Sequence, residues 1–266
     1  MQHSRLRLEE FQLRKQLYRW TNILFLIVII YSSFSFLNIN PLDILVAPIP
    51  MTRFLIDNFF PPSTNHLRTY LPAVIETIFF AVASTYIASF LSIFFAVLMS
   101  ERLNPYRNVR FITRIFIAFL RNIPVLIWAS LLIFVFGIGS MVGLMALVLS
   151  SIGFLSRSYA ESIDDIEEEK LEAIKSSGAS FLQIFYHGVL PEFSSSWLNW
   201  TLFLFELNIR ISSILGIVGA GGIGNIIQWN LQMRRFNEAS TLIIILVCIV
   251  LITEFTVGRI RRNMKL

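Results

Sequence analysis

The chain has 266 residues, of which 55% are hydrophobic, 14% aromatic and only 15% charged. Soluble domains carry roughly 25% charged residues, so this sequence cannot cover a water-facing surface and predicts a polytopic membrane protein. The net charge of +5 fits basic cytoplasmic loops better than a nucleic-acid surface, and the single cysteine, Cys248, excludes an intrachain disulfide. No group of His, Cys and carboxylates has metal-ligand spacing, and no G-K-[ST] run offers a Walker A loop for ATP.

The first predicted element is a basic amphipathic segment over residues 1–21, which we expect to lie along the inner membrane surface as an elbow. Six apolar stretches follow as candidates for membrane-spanning helices, which need roughly 20 residues each. They cover residues 22–37, 72–99, 112–136, 141–157, 196–218 and 239–258. The sequence therefore predicts an all-α fold of about six transmembrane helices. Residues 22–70 hold the first span and an external segment, 71–258 form the core membrane domain, and 259–266 form a basic cytoplasmic tail.

The distribution of Lys and Arg predicts how these spans are oriented. With both termini in the cytoplasm, sixteen basic residues fall in inner segments and four in outer ones. Because cytoplasmic loops are enriched in Lys and Arg, we expect both termini to be cytoplasmic. Two of the outer arginines, Arg234 and Arg235, fit either docking of an external protein or anchoring at lipid headgroups.

Residues 219–224 read GAGGIG, which matches the G-x-G-x-x-G pattern of dinucleotide-binding turns. That function requires a strand before the motif, a helix after it and an acidic residue about 20 positions later. Here the motif follows an apolar helix at its predicted outer end, and no acidic residue stands at the ribose position. We therefore interpret Gly219, Gly221, Gly222 and Gly224 as glycines that let the chain leave the helix at positive φ and pack closely.

Residues 159–193 differ from the other predicted inner segments because they are acidic and amphipathic. The pattern predicts a helix over Ile163 to Ile174, a turn at Gly178, and a second short helix that Pro191 ends. A helix, a glycine turn and a helix form a knuckle that projects into the cytosol. On composition alone, a solvated helical loop is the alternative interpretation.

The spacing within this knuckle resembles the EAA loop of ABC importer permeases, whose pattern is E-A-A, three residues, G, nine residues, then I-x-L-P. The residues that match in register are Glu172, Ala173, Gly178, Leu190 and Pro191. Ile174 replaces the second Ala, and Gly188 replaces the Ile. The full run EAIKSSGASFLQIFYHGVLPEF, together with RNIPVLIWASLLIFVFGIG and FELNIRISSILGIVGAGGIG, is similar to type I permeases of the phosphonate group.

This resemblance implies the membrane-spanning subunit of an ATP-driven, binding-protein-dependent importer for phosphonates or related phosphorus oxyanions. Such a subunit lies in the inner or plasma membrane of a prokaryote and has no catalytic residue, metal or cofactor of its own. The implied partners are a cytosolic ATPase dimer that binds ATP and Mg, an external solute-binding protein, and a second permease subunit, which we expect to be another copy of this chain in a homodimer. The resemblance implies no nucleic-acid partner.

The resemblance also assigns roles within the knuckle. The segment Ser176–Tyr186 corresponds to the coupling helix, which sits in a groove on the ATPase. Gly178 would set its bend, and the aromatic residues would supply buried contact area, namely Phe181, Phe185 and Tyr186. Glu172 would orient the loop by bonding to neighbouring backbone or basic groups.

Charged residues inside the predicted spans cost about 2.5–3.5 kcal/mol each on insertion scales, so each needs a partner or a role. They are Glu76, Arg121, Glu206, Arg210 and Glu254. Arg210 has two candidate ion-pair partners, Glu206 four residues earlier and Glu76 at a similar depth. Alternatively, the Arg210 guanidinium guides a phosphonate or phosphate oxyanion, with Asn208 adding a hydrogen bond. Arg121 precedes Pro124, whose helix break fits either a gate or an ordinary kink.

Three alternatives to a phosphonate permease remain open on the sequence. The first is the same class of permease with another small solute, such as phosphite or a phosphate ester. The second is an ion-coupled secondary transporter, against which the EAA-like spacing argues. The third is a membrane-embedded enzyme, which would need titratable groups gathered at one interface, whereas here they are scattered.

Overall fold

The computed structural model describes the backbone of residues 2–264 and the side chains of residues 14–16 and 18–264. Helices form throughout these residues and no strand occurs among them, which confirms the predicted all-α class. The chain divides into two compact units, one up to Asn58 and one from Phe59 onward. The apolar stripe predicted for the elbow segment 1–21 falls mostly on side chains outside the described set.

Among the described residues, the first unit contains three helices, the third of which ends one residue past the boundary of the unit. They are α1 (Gln2–Phe36), α2 (Pro41–Val46) and α3 (Pro48–Phe59). The part of α1 from Arg14 to Phe36 is long and apolar enough to cross a membrane, and none of its described side chains is buried. Helix α2 begins where the side chain of Asn40 accepts a hydrogen bond from the Leu42 amide, because an Asn side chain satisfies an N–H that the first helical turn leaves unpaired.

The second unit contains nine further α-helices and one π-helical turn among the described residues. They are α4 (Leu67–Met99), α5 (Arg107–Asn122), α6 (Val125–Phe136), α7 (Ser140–Asp164), α8 (Glu168–Ser176), α9 (Phe181–Ile184), the π turn (Phe185–Val189), α10 (Leu190–Ile217), α11 (Gly222–Gln232) and α12 (Phe236–Asn263). Four helical stretches of this unit qualify as spans alone, and α5 with α6 qualifies as a bent pair. Together with α1 this gives five or six candidate spans, in agreement with the predicted six.

Helices α4 and α7 lie side by side and run in the same direction. Glu76 in the third turn of α4 contacts Ser140 in the first turn of α7, and Ser100 just after α4 contacts Asp164 at the end of α7. Helix α10 runs antiparallel to both, since its early residue Thr201 meets Ser89 and its later residue Asn208 meets Ser84. We call the two ends of this bundle the Glu76 end and the Asp164 end.

Small residues make this close packing possible. The buried face of α4 carries Ala or Ser at nearly every helical turn, at Ala81, Ser84, Ala88, Ser89, Ser92 and Ala96. Membrane helices gain little from the hydrophobic effect between themselves, so close backbone approach and interhelical hydrogen bonds hold them together. On α7, Gly153 serves the same purpose, because a Cβ there would lie 2.7 Å from the Arg121 backbone nitrogen.

Two sequence-based boundaries involve proline: the predicted helix break at Pro124 is confirmed, and the predicted helix end at Pro191 is wrong. The predicted span 112–136 is two helices that meet at 90° around Ile123 and Pro124, because proline lacks an N–H and forces the residue before it into an extended conformation. Pro191 does not end a helix. It lies in the first turn of α10, where no backbone N–H is required, so that helix starts at Leu190, six residues before the predicted span.

Helix α11 and the length of α7 were also not predicted. The sequence predicts that the glycines after residue 218 end a helix, and it predicts no helix after them. In the structure, α11 begins at Gly222. The fourth apolar stretch, 141–157, is part of a 25-residue helix that continues to Asp164. Its last two turns are polar, so hydropathy alone ended it too early.

We predict that the α4–α7–α10 contact depends on Asn208. Its side-chain nitrogen lies 3.0–3.2 Å from the hydroxyls of Ser84, Thr85 and Ser151, and the residue is 1% exposed. Asn208→Ala should lower the free energy of unfolding by about 1–2 kcal/mol, because interhelical hydrogen bonds in membranes average about 0.6 kcal/mol and several are lost together. Unfolding of the purified chain in mixed micelles measures this.

The matched control is Asn225→Ala, which removes an exposed Asn side chain from α11. Its unfolding curve should overlay that of the wild type. Equal effects of the two substitutions would contradict the assigned role of Asn208.

Candidate functional site

The knuckle, which we define as Glu168–Val189, is two helical segments joined by a glycine turn. Helix α8 ends at Ser176, and Gly178 has a φ of +82° with nothing within 4 Å of the position a Cβ would take. Any cost of replacing Gly178 therefore comes from its left-handed backbone and not from crowding, since other residues lose roughly 1 kcal/mol or more there. Helix α9 then begins at Phe181, where the Gln183 side chain accepts a hydrogen bond from the Ser180 amide at 2.8 Å.

The knuckle presents an apolar patch at its surface. Phe181, Leu182 and Tyr186 are all exposed, whereas Leu171, Ile184 and Val189 are buried in the main core of the unit. Phe185 is partly buried and packs edge-to-face on Tyr186 with ring centroids 5.7 Å apart. We call Phe181, Leu182 and Tyr186 the apolar patch; the sequence reading had named the two aromatic members but not Leu182.

The two positions at which the knuckle departs from the EAA pattern are in contact. A Cβ on Gly188 would lie 2.9 Å from Cδ1 of Ile174 and 3.1 Å from Cδ2 of Leu171. The family pattern has a small residue at position 174 and a large one at position 188, and this chain reverses both. One exchange in volume therefore accounts for both departures, since the larger Ile174 occupies the space that Gly188 leaves.

The knuckle ends in a π-helical turn, Phe185–Val189, which runs directly into α10. π turns inside α-helices are rare and occur frequently at functional sites. Leu190 is half-buried and Pro191 exposed in the first turn of α10. The second half of the knuckle is thus continuous with α10, so that a displacement of α9 acts directly on that helix.

The acidic residues of the knuckle form ion pairs, but not the one that sequence reading expected. The carboxylate of Glu172 is exposed and has no hydrogen bond or ion pair with any residue that the structure describes. Glu168 instead pairs with Arg102. Lys170 lies 3.1 Å from Glu192 and 3.3 Å from Glu167, and these carboxylates, Glu192 first, raise the pKa of the exposed Lys170 amine.

At the Glu76 end, the glycine motif folds against α4. Gly219, Gly221 and Gly222 have φ values of +87°, +85° and +71°. The carboxylate of Glu76 accepts a hydrogen bond from the Gly222 amide at 3.0 Å, and the Thr77 hydroxyl accepts one from the Ile223 amide at 2.8 Å.

These contacts bear on the dinucleotide-like motif. A bound pyrophosphate would need the free amides at the N-terminus of α11, and an internal carboxylate and hydroxyl already bind them. Behind the turn, a Cβ on Gly224 would overlap the carbonyl oxygen of Ser213, and one on Gly216 would meet the Asn225 nitrogen at 2.5 Å. The glycines therefore serve the close packing of α10 against α11.

The charged residues of the spans occupy separate places. Arg210 pairs with Glu206 at 3.0 Å, whereas Glu76 binds Ser140 and the Gly222 amide. The sequence offered Glu206 and Glu76 as ion-pair partners of Arg210, and in the structure Arg210 pairs with Glu206. Arg121 is exposed in the last turn of α5, directly before the break at Pro124.

Asn208 does not lie where a hydrogen bond to solute would require it. Its amide is enclosed by the hydroxyls of Ser84, Thr85 and Ser151. In this conformation no donor of Asn208 reaches a surface, since the residue is 1% exposed. A polar side chain in the middle of an apolar helix indicates an internal partner as readily as a ligand, and the sequence offers no signal that separates the two.

A search of the described residues for a metal site finds no group of three His, Cys, Asp or Glu side chains that could hold an ion. The remaining candidate features are the exposed apolar patch on the knuckle and the charged groups inside the spans. These suit docking and passage of a solute.

Comparison with known proteins agrees with this conclusion. The family model described as "Binding-protein-dependent transport system inner membrane component" matches residues 88–265, more than half of the chain. The chain therefore belongs to this family. It is the permease subunit of a binding-protein-dependent ABC importer and a multi-pass membrane protein, and it works with a separate ATPase, a solute-binding protein and a second permease subunit.

Among its relatives is the phosphite transport system permease protein PtxC of Stutzerimonas stutzeri, which is 28% identical over 83% of this chain and 80% of that protein. The phosphate-import permease protein PhnE of Mycolicibacterium smegmatis is 31% identical over 88% of this chain, a match that covers 44% of that longer protein. These relatives confirm the likeness to phosphonate-type permeases.

Solved structures share the fold. The permease chain of the MetNI methionine ABC transporter, in an inward-facing conformation, aligns with a TM-score of 0.67 at 21% identity. The alignment covers 76% of this chain and 98% of that one. A bacterial ABC transporter involved in alginate import aligns with a TM-score of 0.64 at 15% identity, covering 88% of this chain.

We predict that Ile174 and Gly188 are energetically coupled. Gly188→Ile alone should lower the free energy of unfolding by about 1–3 kcal/mol through overpacking. Adding Ile174→Ala should recover part of that loss, since it removes the atom that clashes. A double-mutant cycle on unfolding in mixed micelles should therefore give a coupling of about 0.5–3 kcal/mol, as is usual for residues in contact.

Gly258→Ile is the control for the size of the new side chain, because nothing lies within 4 Å of a Cβ on Gly258. It should cost less than Gly188→Ile. Strictly additive effects of Ile174→Ala and Gly188→Ile would refute the compensation.

Proposed function

We propose that two copies of this chain form the membrane pathway of an ATP-driven importer for phosphonates or related phosphorus oxyanions. Two observations together support phosphorus oxyanions as the solute class. The relatives of this chain include a phosphite permease and a phosphate permease, and Arg210 presents a guanidinium from the middle of a spanning helix.

The position of Arg210 supports a place at the pathway. Its side chain is 48% exposed in the isolated chain, whereas that of its partner Glu206 is 16% exposed. An ion pair facing lipid would carry a penalty of several kcal/mol, so this face of α10 belongs against a second copy or a hydrated pathway. Only Nη2 of Arg210 has a side-chain partner among the described residues, so other N–H groups of the guanidinium remain for the oxygens of an oxyanion.

The knuckle is proposed as the docking site of the ATPase. The apolar patch exposes large apolar side chains next to one another outside the predicted spans. Contiguous exposed patches of this kind mark interaction sites. The Asp164 end, which carries the knuckle, would then be cytosolic, as the distribution of Lys and Arg predicts. Binding of ATP would draw the knuckles of two copies together and switch the spans between inward- and outward-open states.

The apolar patch provides the first test. Phe181→Ala with Tyr186→Ala should weaken binding of the partner ATPase at least about tenfold, because buried aromatic anchors are typical hot spots. Co-purification and titration of the ATPase onto the permease in nanodiscs measure this. Phe90→Ala with Tyr86→Ala is the matched control, since it removes the same two residue types from an exposed face of α4. Retention of full ATPase affinity by the patch variant would exclude the knuckle as the docking site.

The solute is tested in proteoliposomes with the partner ATPase and binding protein. Methylphosphonate bound to the binding protein should stimulate ATP hydrolysis and enter the vesicles. Arg210→Gln should lower this uptake about tenfold or more, because a charge-assisted hydrogen bond is worth roughly 1.5–3 kcal/mol. Arg157→Gln is the control, since Arg157 forms the same i,i+4 ion pair with Glu161 on α7.

Two results would overturn the assignment. Stimulation by other solutes but by no phosphonate, phosphite or phosphate ester would reject the solute class. Uptake driven by an ion gradient without an ATPase would move the secondary-transporter alternative to the front.

A further inference from the structure

Asp164, the last residue of α7, binds the segment that follows α4. Its Oδ1 accepts a hydrogen bond from the Ser100 hydroxyl at 2.6 Å and another from the Glu101 amide at 2.8 Å. The Arg102 amide lies 3.4 Å from the same oxygen. One carboxylate oxygen therefore fixes three consecutive residues where α4 ends and the chain turns towards α5.

Two arginines extend this contact to other helices. Arg114 of α5 lies 3.9 Å from Asp164 Oδ2, donates to the Met99 carbonyl at 3.0 Å, and pairs with Glu101 at 3.1 Å. Arg102 donates through Nε to the Asp164 carbonyl at 3.4 Å, and its Nη1 pairs with Glu168 in the first turn of α8. We call Asp164 with Ser100, Arg102 and Arg114 the Asp164 clamp.

The clamp bridges parts of the chain that have no short covalent link to the knuckle. Helix α7 reaches the knuckle through three residues, and α10 is continuous with it. Helices α4 and α5 precede the knuckle by dozens of residues, so a displacement of α8 reaches them through non-covalent contacts. The pair Arg102–Glu168 joins the loop after α4 directly to α8, and Asp164 holds that loop in place.

We propose that Asp164 is a positioning residue that transmits movement of the knuckle to α4 and α5. This inference rests on the proposed function, in which the ATPase moves the knuckle. With the clamp closed, α4, α5 and α7 follow α8 as one body. With it open, α8 moves while α4 and α5 stay behind.

The clamp is stable enough to transmit movement and accessible enough to be altered. The side chains of Asp164 and Arg102 are 28% and 29% exposed, and Ser100 is fully buried. A polar pocket of about 420 Å³ borders the cluster, lined among others by Arg102 and Asp164. Charge-assisted hydrogen bonds to backbone amides are stronger than an exposed ion pair, so the loss of the carboxylate charge should loosen the clamp without unfolding the bundle.

The test uses the complete importer in proteoliposomes, with permease, ATPase and loaded binding protein. Asp164→Asn keeps the size of the side chain and one acceptor oxygen but removes its charge. Asp165→Asn is the matched control, because Asp165 is adjacent and exposed and has no side-chain partner among the described residues. The readouts are the amount of assembled complex, basal and stimulated ATP hydrolysis per complex, and solute imported per ATP.

We expect Asp164→Asn to assemble normally, to keep basal hydrolysis, and to lose stimulation by the binding protein about fivefold or more, the low end of usual coupling free energies. Solute imported per ATP should fall with it, and Asp165→Asn should match the wild type. A role in stability alone predicts less assembled complex with unchanged stimulation and import per ATP. That result would overturn the inference.

A second measurement separates the clamp from the proposed function. Hydrogen exchange of residues 100–104 in the permease alone should quicken in Asp164→Ala and Asp164→Asn, because Asp164 binds the amides of Glu101 and Arg102. Unchanged exchange would reject the clamp even in a working importer. If the variants exchange faster but the wild-type importer shows no ATPase stimulation, the clamp itself stands. That combination would reject the proposed function and with it the transmission of movement.

Discussion

Close contact between α4 and α7 sets the position of every other functional element in the second unit. The contact is possible because small residues repeat along the buried face of α4. Separately, Gly153 of α7 allows a similarly close approach to the backbone of α5. In a bilayer, polar groups must find partners within the protein. The hydroxyls between these helices do so through Asn208 of α10 and through Tyr159, whose hydroxyl lies 3.0 Å from that of Ser89. Helix α10 is thereby held to both helices along its length.

An acidic side chain binds backbone amides at each end of this helix pair. Glu76 accepts from Gly222 at one end and Asp164 accepts from Glu101 at the other. Both amides lie where regular helix begins or ends, so they have no partner within a helix. The two carboxylates thus hold two non-helical turns in place. One turn leads into α11, and the other joins α4 to α5.

The knuckle departs from the family pattern at two positions that compensate each other in size. Ile174 is larger than the residue in the EAA pattern and Gly188 is smaller, and the two positions are in contact in the structure. The buried side of the knuckle therefore keeps its packing while the exposed side carries Phe181, Leu182 and Tyr186. If the exposed face binds the ATPase as proposed, packing against the core and contact with the partner are separate tasks of the two faces.

The sequence by itself determined the membrane class, the number of spans to within one, the place of the knuckle and the family. Those features depend on local composition, periodicity and spacing, which a single segment carries. Only the tertiary structure decided which partner each polar residue has. Glu76 meets Gly222 across 146 residues and Asp164 meets Ser100 across 64, and such pairs follow from the register of packed helices, which no local pattern encodes. For the same reason the sequence left Asn208 with a hydrogen bond to solute as one alternative, gave Arg210 two candidate partners, and indicated a break at Pro124 without its angle of 90°.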